Sequence, residues 1–222
     1  MKKCTLVTSF LLIGFSLFAQ KFTLFNNPLK WDENRYSDIK GSPFFFKDFV
    51  EGTIHGIGGE VYDKVKLNLN GYTHNIEVRR RDEYIELQEG AYDMVEVTLA
   101  GKNGDTTKTV FVTTQIGQFD GRFVQLIYDG EKRKVFNDFL VTISEYKTET
   151  PGKTLHVKRF APKARYFLLE DGELSIFKLK KKNIVQYLGH KKEIETFLKK
   201  NKIKIDSAEG VAKVLEFAEG LE

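Results

Sequence analysis

Ten lysines fall between positions 178 and 204 (178, 180, 181, 182, 191, 192, 199, 200, 202 and 204), opposed there only by Glu193 and Glu195, a local charge of +8. Ammonium groups at that density attract anions. Near an anionic lipid surface each is worth about 1 kcal/mol. Lys181, Lys182, Lys191, Lys192, Lys199 and Lys200 are the candidate patch, expected to project from one side of a helical segment. For an exported chain the relevant anions are lipid phosphates, acidic glycans or an acidic envelope protein, and nucleic acid is a poor target. The competing reading is a solvated helix face, because lysine is a good helix former.

Other chemistries find less support. The histidines at 55, 74, 156 and 190 are scattered singly. No two have the spacing that presents a pair of imidazoles to one metal. No Gly-x-Ser-x-Gly elbow occurs, and a hydrolytic serine would need an activating base. His55-Gly56-Ile57-Gly58-Gly59-Glu60 is glycine-rich, but no Lys-Ser/Thr closes it and the residues after it are strand-like, so it reads as a hairpin turn or bulge rather than a phosphate cradle. Carboxylates are abundant, as in Asp82-Glu83 and Glu145 with Glu149, but acid–base pairing needs separations that spacing alone does not supply. Arg79-Arg80-Arg81 at a strand end discourages edge pairing. No catalytic, metal or cofactor residue is assigned, and no cofactor is expected.

The N-terminus gives an address. Lys2 and Lys3 precede an apolar run from Leu6 to Phe18, and Ala19 closes it before Gln20-Lys21. A basic start, a short apolar stretch and a small residue make a secretory signal peptide over 1–19. The run is short for a bilayer-spanning anchor, which needs roughly 20 residues, so no transmembrane segment is expected after cleavage. Cys4, the only cysteine, leaves with the signal. Because it precedes the apolar run, it cannot be the acylated residue of a lipoprotein. The mature chain would be stable by core burial alone, without the disulfides that export permits. The whole chain carries +4; without Lys2, Lys3 and the lysine-rich stretch the remainder is acidic.

Residues 20–43 read as an irregular lead-in, with turn signals at Asn26-Asn27-Pro28 and Gly41-Ser42-Pro43. Trp31 is expected to pin it to the body. From 44 to 180 apolar residues recur with period two: Val65, Leu67 and Leu69; Ile76 and Val78; Ile85 and Leu87; Val95, Val97 and Leu99. That spacing turns one set of side chains inward on a strand. Further strands are predicted over 49–55, 109–114, 123–128, 140–146, 154–160, 165–170 and 173–179. Lys102-Asn103-Gly104-Asp105 marks a turn. Asp129-Gly130 and Asp171-Gly172 suit the two positive-φ positions of tight hairpins. With no helical crossover between strands, the sheet is expected to be antiparallel. Tyr62–Gly71 recurs as Tyr92–Gly101, read as two strands solving one problem: enter at a turn, alternate, leave at glycine.

After Lys180 the period becomes 3.6. Ile184, Tyr187 and Leu188 form one apolar face ending at Gly189, and Ile194, Phe197 and Leu198 a second. Asp206 and Glu209 are expected to cap a third helix with the face Val211, Val214, Leu215 and Ala218. The fold class is therefore α+β: an antiparallel barrel or curved sheet over 44–180, with a helical tail over 181–222 docked on it.

Several short stretches bear a resemblance. Gly41-Ser42-Pro43-Phe44 with Asp48-Phe49-Val50-Glu51-Gly52, Asn75-Ile76-Glu77-Val78 running into Asp82-Glu83-Tyr84-Ile85-Glu86-Leu87, and the lysine-rich stretch Lys191–Lys204 before a closing helix are together similar to an uncharacterised family of secreted proteins from diderm bacteria. The resemblance implies an exported β-rich domain with a helical tail and brings no activity or ligand. Three functions are carried forward. The first is a non-catalytic periplasmic or cell-surface protein binding another envelope component. The second is a carrier of an apolar ligand in a half-open barrel. The third is a hydrolase whose site is assembled only in space. A filled interior favours the first, an apolar cavity of roughly 300 Å³ or more the second, and a polar cleft with converging histidine and carboxylates the third.

Overall fold

A computed structural model describes residues 34–80, 83–87, 90–101, 104, 106–150 and 153–221. The signal segment, the Asn26-Asn27-Pro28 turn and Trp31 lie outside the described residues, as does most of the 102–105 turn. Eleven strands form one sheet: β1 (Ile39–Lys40), β2 (Val50–Gly56), β3 (Val61–Asn70), β4 (Asn75–Arg80), β5 (Glu83–Glu86), β6 (Tyr92–Ala100), β7 (Thr106–Thr113), β8 (Phe123–Asp129), β9 (Arg133–Thr150), β10 (Lys153–Glu170) and β11 (Glu173–Ile176). Among the described residues three helices follow: α1 (Lys181–Leu188), α2 (Lys191–Lys200) and α3 (Ala208–Glu219). The strand order is β1-β10-β9-β8-β7-β6-β2-β3-β4-β5, with β11 also on β10. The architecture is the expected one, a large, mostly antiparallel curved sheet with a helical end.

Irregularities in strand pairing bend the sheet. Register shifts interrupt β2 near Gly52 and again near Gly56, and β8 between Leu126 and Tyr128. An extra residue on one strand of a pair increases the local bend and twist. The sheet curls until the end of β3 meets β9, where the Val141 amide donates to the Gly71 carbonyl at 2.8 Å while the Gly71 amide donates to Pro43. A Cβ at Gly71 would lie 2.6 Å from Cδ1 of Phe139 and 2.8 Å from the Phe139 carbonyl oxygen. Glycine is required there by close approach of two backbones.

The echoed segments Tyr62–Gly71 and Tyr92–Gly101 contain β3 and β6, which flank β2 on either side. Gly52 of β2 stands opposite Val65 in one and Val97 in the other. Their inward residues Val65, Leu67, Leu69, Val95 and Val97 join Ile54, Ile76, Val78 and Phe111 in one buried core. The phenylalanines at 45, 46 and 139 close over it. These side chains pack together as one apolar core on the inner face of the curl.

Several expectations need correction. β1 lies within the lead-in read as irregular, and it pairs parallel with β10, Ile39 opposite Lys158. Short connections favour antiparallel pairing, but that constraint does not act between segments so distant in the chain. The predicted strand 140–146 is the middle of the 18-residue β9, and 154–160 and 165–170 are one 18-residue strand, β10. Pro162 does not break β10. It stands opposite Val141, whose amide points away from β10 to Gly71, so the proline nitrogen faces the outer edge of the ribbon and removes no ladder bond. The last predicted strand stops at Ile176 instead of 179. Asp171-Gly172 is the tight turn expected, with φ of 51° and 81°. Asp129-Gly130 opens a longer connection in which neither residue has positive φ, and the Gly130 amide donates to Arg133.

The helices dock as their stripes require. Ile184, Val185 and Leu188 of α1, Ile194 and Leu198 of α2, and Val211, Val214, Leu215 and Ala218 of α3 bury against one another and against Val135 and Leu168 of the sheet. Val185, not Tyr187, completes the α1 face. Tyr187 stays 39% exposed and its hydroxyl donates to Glu170. Burial and that carboxylate push its pKa up to about 12. The α3 cap is Ser207, whose Oγ accepts from the Gly210 amide at 3.1 Å, not Asp206. The helix starts one residue later than expected, so the side chain three positions before Gly210 is the one in reach. No helix among the described residues is long and apolar enough to cross a membrane.

Candidate functional site

The six candidate lysines are all exposed. Among the described residues none of them forms an ion pair, whereas Lys108, Lys134, Lys158 and Lys213 each hold a carboxylate. The structure distributes the six over two sides of α2. Lys181, Lys182 and Lys191 line an open groove of about 810 Å³ between α1 and α2, with Gln186, His190 and Glu195. Lys192 and Lys200 line a second groove toward α3. Lys199 is exposed in the last turn of α2, where with Lys200 it opposes the negative end of the helix dipole. The expectation of a single side therefore resolves into two surfaces sharing one helix.

The first groove has an electrostatic peculiarity. Lys181 and Lys182 occupy the first turn of α1, and Lys191 and Lys192 the first turn of α2. Neither N-terminus has a side-chain cap. The backbone amides exposed there already carry partial positive charge, so a cation in the first turn is unfavourable by about 0.3–1 kcal/mol. Glu193 offsets this in α2, while α1 has no acidic residue in its first turn. Lys181, Lys182 and Lys191 add their charge to these amides in the α1–α2 groove, so the arrangement that costs helix stability concentrates positive potential there.

Two buried polar clusters were not legible in the sequence. In the first, Asn70 and Glu77, both fully buried, are joined by a hydrogen bond from Asn70 Nδ2 to the Glu77 carboxylate; Asn70 Nδ2 also reaches Tyr36 Oη at 3.2 Å. Arg35 forms an ion pair with Glu77. Glu86 stands directly opposite Glu77 across β4 and β5. Burial, and then the Glu77 charge, raise the Glu86 pKa above the usual carboxylate range. In the second cluster, Oδ2 of the fully buried Asp138 accepts from Arg122 at 3.0 Å and from Arg165. His74 lies nearby, its pKa lowered by burial and then by Arg122. These clusters tie segments together. The first fixes residues 35–36 to the β3–β4 hairpin, and the second joins the approach to β8 to β9 and β10. By alternation Glu77, between the inward Ile76 and Val78, falls on the other face of the strand, so no local signal marked its burial.

His55 and Glu96 lie 3.6 Å apart on neighbouring strands, with Glu96 also held by Lys108, so that carboxylate sits in an exposed ion-pair network. His156 points away from Leu155 and Val157 into solvent, as expected. No group of three or more histidine, cysteine or acidic side chains suited to a metal occurs among the described residues. Comparison of the chain with protein-family models, curated proteins and solved structures gave no match.

Proposed function

We propose that this chain is an exported, non-catalytic envelope protein that binds an acidic component of the envelope through its lysine-bearing helical tail. The observation that carries the reading is the α1–α2 groove, where Lys181, Lys182 and Lys191, free of ion pairs among the described residues, meet two uncapped helix N-termini. A packed apolar core on the inner face of the sheet supports binding at the surface over carriage of a ligand inside. In the buried Arg–carboxylate clusters one oxygen of each carboxylate is held by side chains from other segments, which supports a role in joining segments over hydrolysis.

The test has two parts. Protein recovered from the cell envelope is expected to begin at or near Gln20, and full-length protein confined to the cytosol would overturn export. The purified protein is expected to be retained on an immobilised polyanion such as heparin at low salt and released steeply as salt rises, since exposed charges are screened over about 8–10 Å at physiological ionic strength. Changing Lys181, Lys182, Lys191 and Lys192 to Gln should abolish retention with the circular dichroism spectrum unchanged. Equal retention of that variant and the original protein would refute the reading.

A further inference from the structure

The second groove on α2 differs from the first. Phe197 of α2 and Phe217 of α3 stack face to face, centroids 4.0 Å apart and rings parallel within 1°. Both are only half-buried. They line an open groove of about 630 Å³, with Leu221, itself 37% exposed, alongside. Lys192 and Lys200 border the same groove, with Glu193 as the one acidic residue. Eight residues apart on one helix, these lysines are separated by about 12 Å along its axis. The stripe of α2 that builds the core is already supplied by Ile194 and Leu198. Phe217 packs by one side against that core, while Phe197 and Leu221 extend the apolar surface beside it.

We propose that this groove seats the helical tail on an anionic lipid bilayer, with Phe197, Phe217 and Leu221 entering the boundary between headgroups and acyl chains and Lys192 and Lys200 meeting lipid phosphates. The inference rests on the anion-binding reading above and narrows its partner to a lipid surface. An apolar centre bordered by lysines is the pattern of an interfacial helix, whose apolar face sinks roughly 5–10 Å while cations stay at headgroup level. Charge separates the possible occupants. A second copy docked symmetrically on the groove would set Lys192 and Lys200 against their own counterparts. An acidic glycan would satisfy the lysines but bring less apolar surface to the phenylalanines and Leu221 than acyl chains do.

The experiment is co-sedimentation of the purified protein with phosphatidylcholine vesicles, with and without phosphatidylglycerol, alongside heparin retention. Binding is expected only to vesicles containing phosphatidylglycerol. Leu221→Ser and Phe197→Ala should each weaken that partition about tenfold, equivalent to about 1.4 kcal/mol, and leave heparin retention unchanged. Phe197→Leu should restore most of the loss. Thermal unfolding of each variant separates loss of docking from loss of fold, and Leu221→Ser, at an exposed position, keeps the test open if Phe197→Ala is unstable. Retention on heparin without any vesicle binding would overturn bilayer docking while sparing the anion-binding reading. So would vesicle binding indifferent to both substitutions. Failure to bind either probe would overturn both. A dimer in sedimentation that Leu221→Ser converts to monomer would assign the groove to self-association and overturn the lipid assignment.

Discussion

Replacing Leu215 with alanine tests whether the helical tail and the sheet are one cooperative unit. Leu215 has no exposed surface, and the core it belongs to draws on every part of that unit: Val211 and Ala218 on α3, Ile194 on α2, Ile184 on α1, and Val135 and Leu168 on the sheet. Leucine-to-alanine changes in such sites cost about 2–5 kcal/mol, the transfer of the lost carbons plus a cavity term that grows when the walls cannot collapse. Here the walls are held from three helices and a sheet, so a loss near 3–4 kcal/mol is expected, above the low end of that range. At about 2–4 °C per kcal/mol for a domain of this size, the melting temperature should fall by roughly 6–16 °C. Urea unfolding followed by circular dichroism is the assay, with Lys213→Ala as the exposed control, expected within about 0.5 kcal/mol of the original protein. A loss for Leu215→Ala no larger than that of the control would show that α3 does not dock. A helical transition preceding the loss of sheet would show that tail and body unfold separately.

The same packing sets three further outcomes. Gly71→Ala forces a Cβ against the ring and carbonyl of Phe139 and should cost about 1–3 kcal/mol; unchanged stability would mean that the seam between β3 and β9 is loose. Ser207→Ala should cost about 1 kcal/mol by removing the α3 cap, while Asp206→Ala should cost little; the reverse order would restore Asp206 as the cap. Glu86 holds its proton more tightly folded than unfolded, because burial and Glu77 raise its pKa. Its contribution to stability is therefore present in acid and lost as pH rises from the ordinary carboxylate range through the raised value. Glu86→Gln should be more stable than the original at neutral pH, with the difference vanishing in acid, as read from urea midpoints; a variant less stable at neutral pH would contradict this.

What the sequence determined by itself was whatever is written in local periodicity. Alternation at Val65-Leu67-Leu69 and Val95-Val97-Leu99 dictated strands, because a pleated backbone turns every second side chain to one face. The 3.6 spacing of Val211, Val214, Leu215 and Ala218 dictated the α3 face for the corresponding reason. The lysine excess was likewise plain from composition. Non-local contact decided the rest. Pro162 falls between two predicted strands that are one, because the direction of its nitrogen depends on which neighbour lies beside β10, and only the folded ribbon settles that. Strand β1 became a strand only because residues far along the chain offered it an edge. Glu77 alternates with Ile76 and Val78 and so reads as solvent-facing, and Asp138 lies between two predicted strands, yet each is buried against arginine from other segments. The lysines show the same division. Their number was legible, but their partition between a polar groove beside α1 and an aromatic one beside α3 was not. That partition depends on how three short helices, each specifying only its own buried stripe, rotate to share one core.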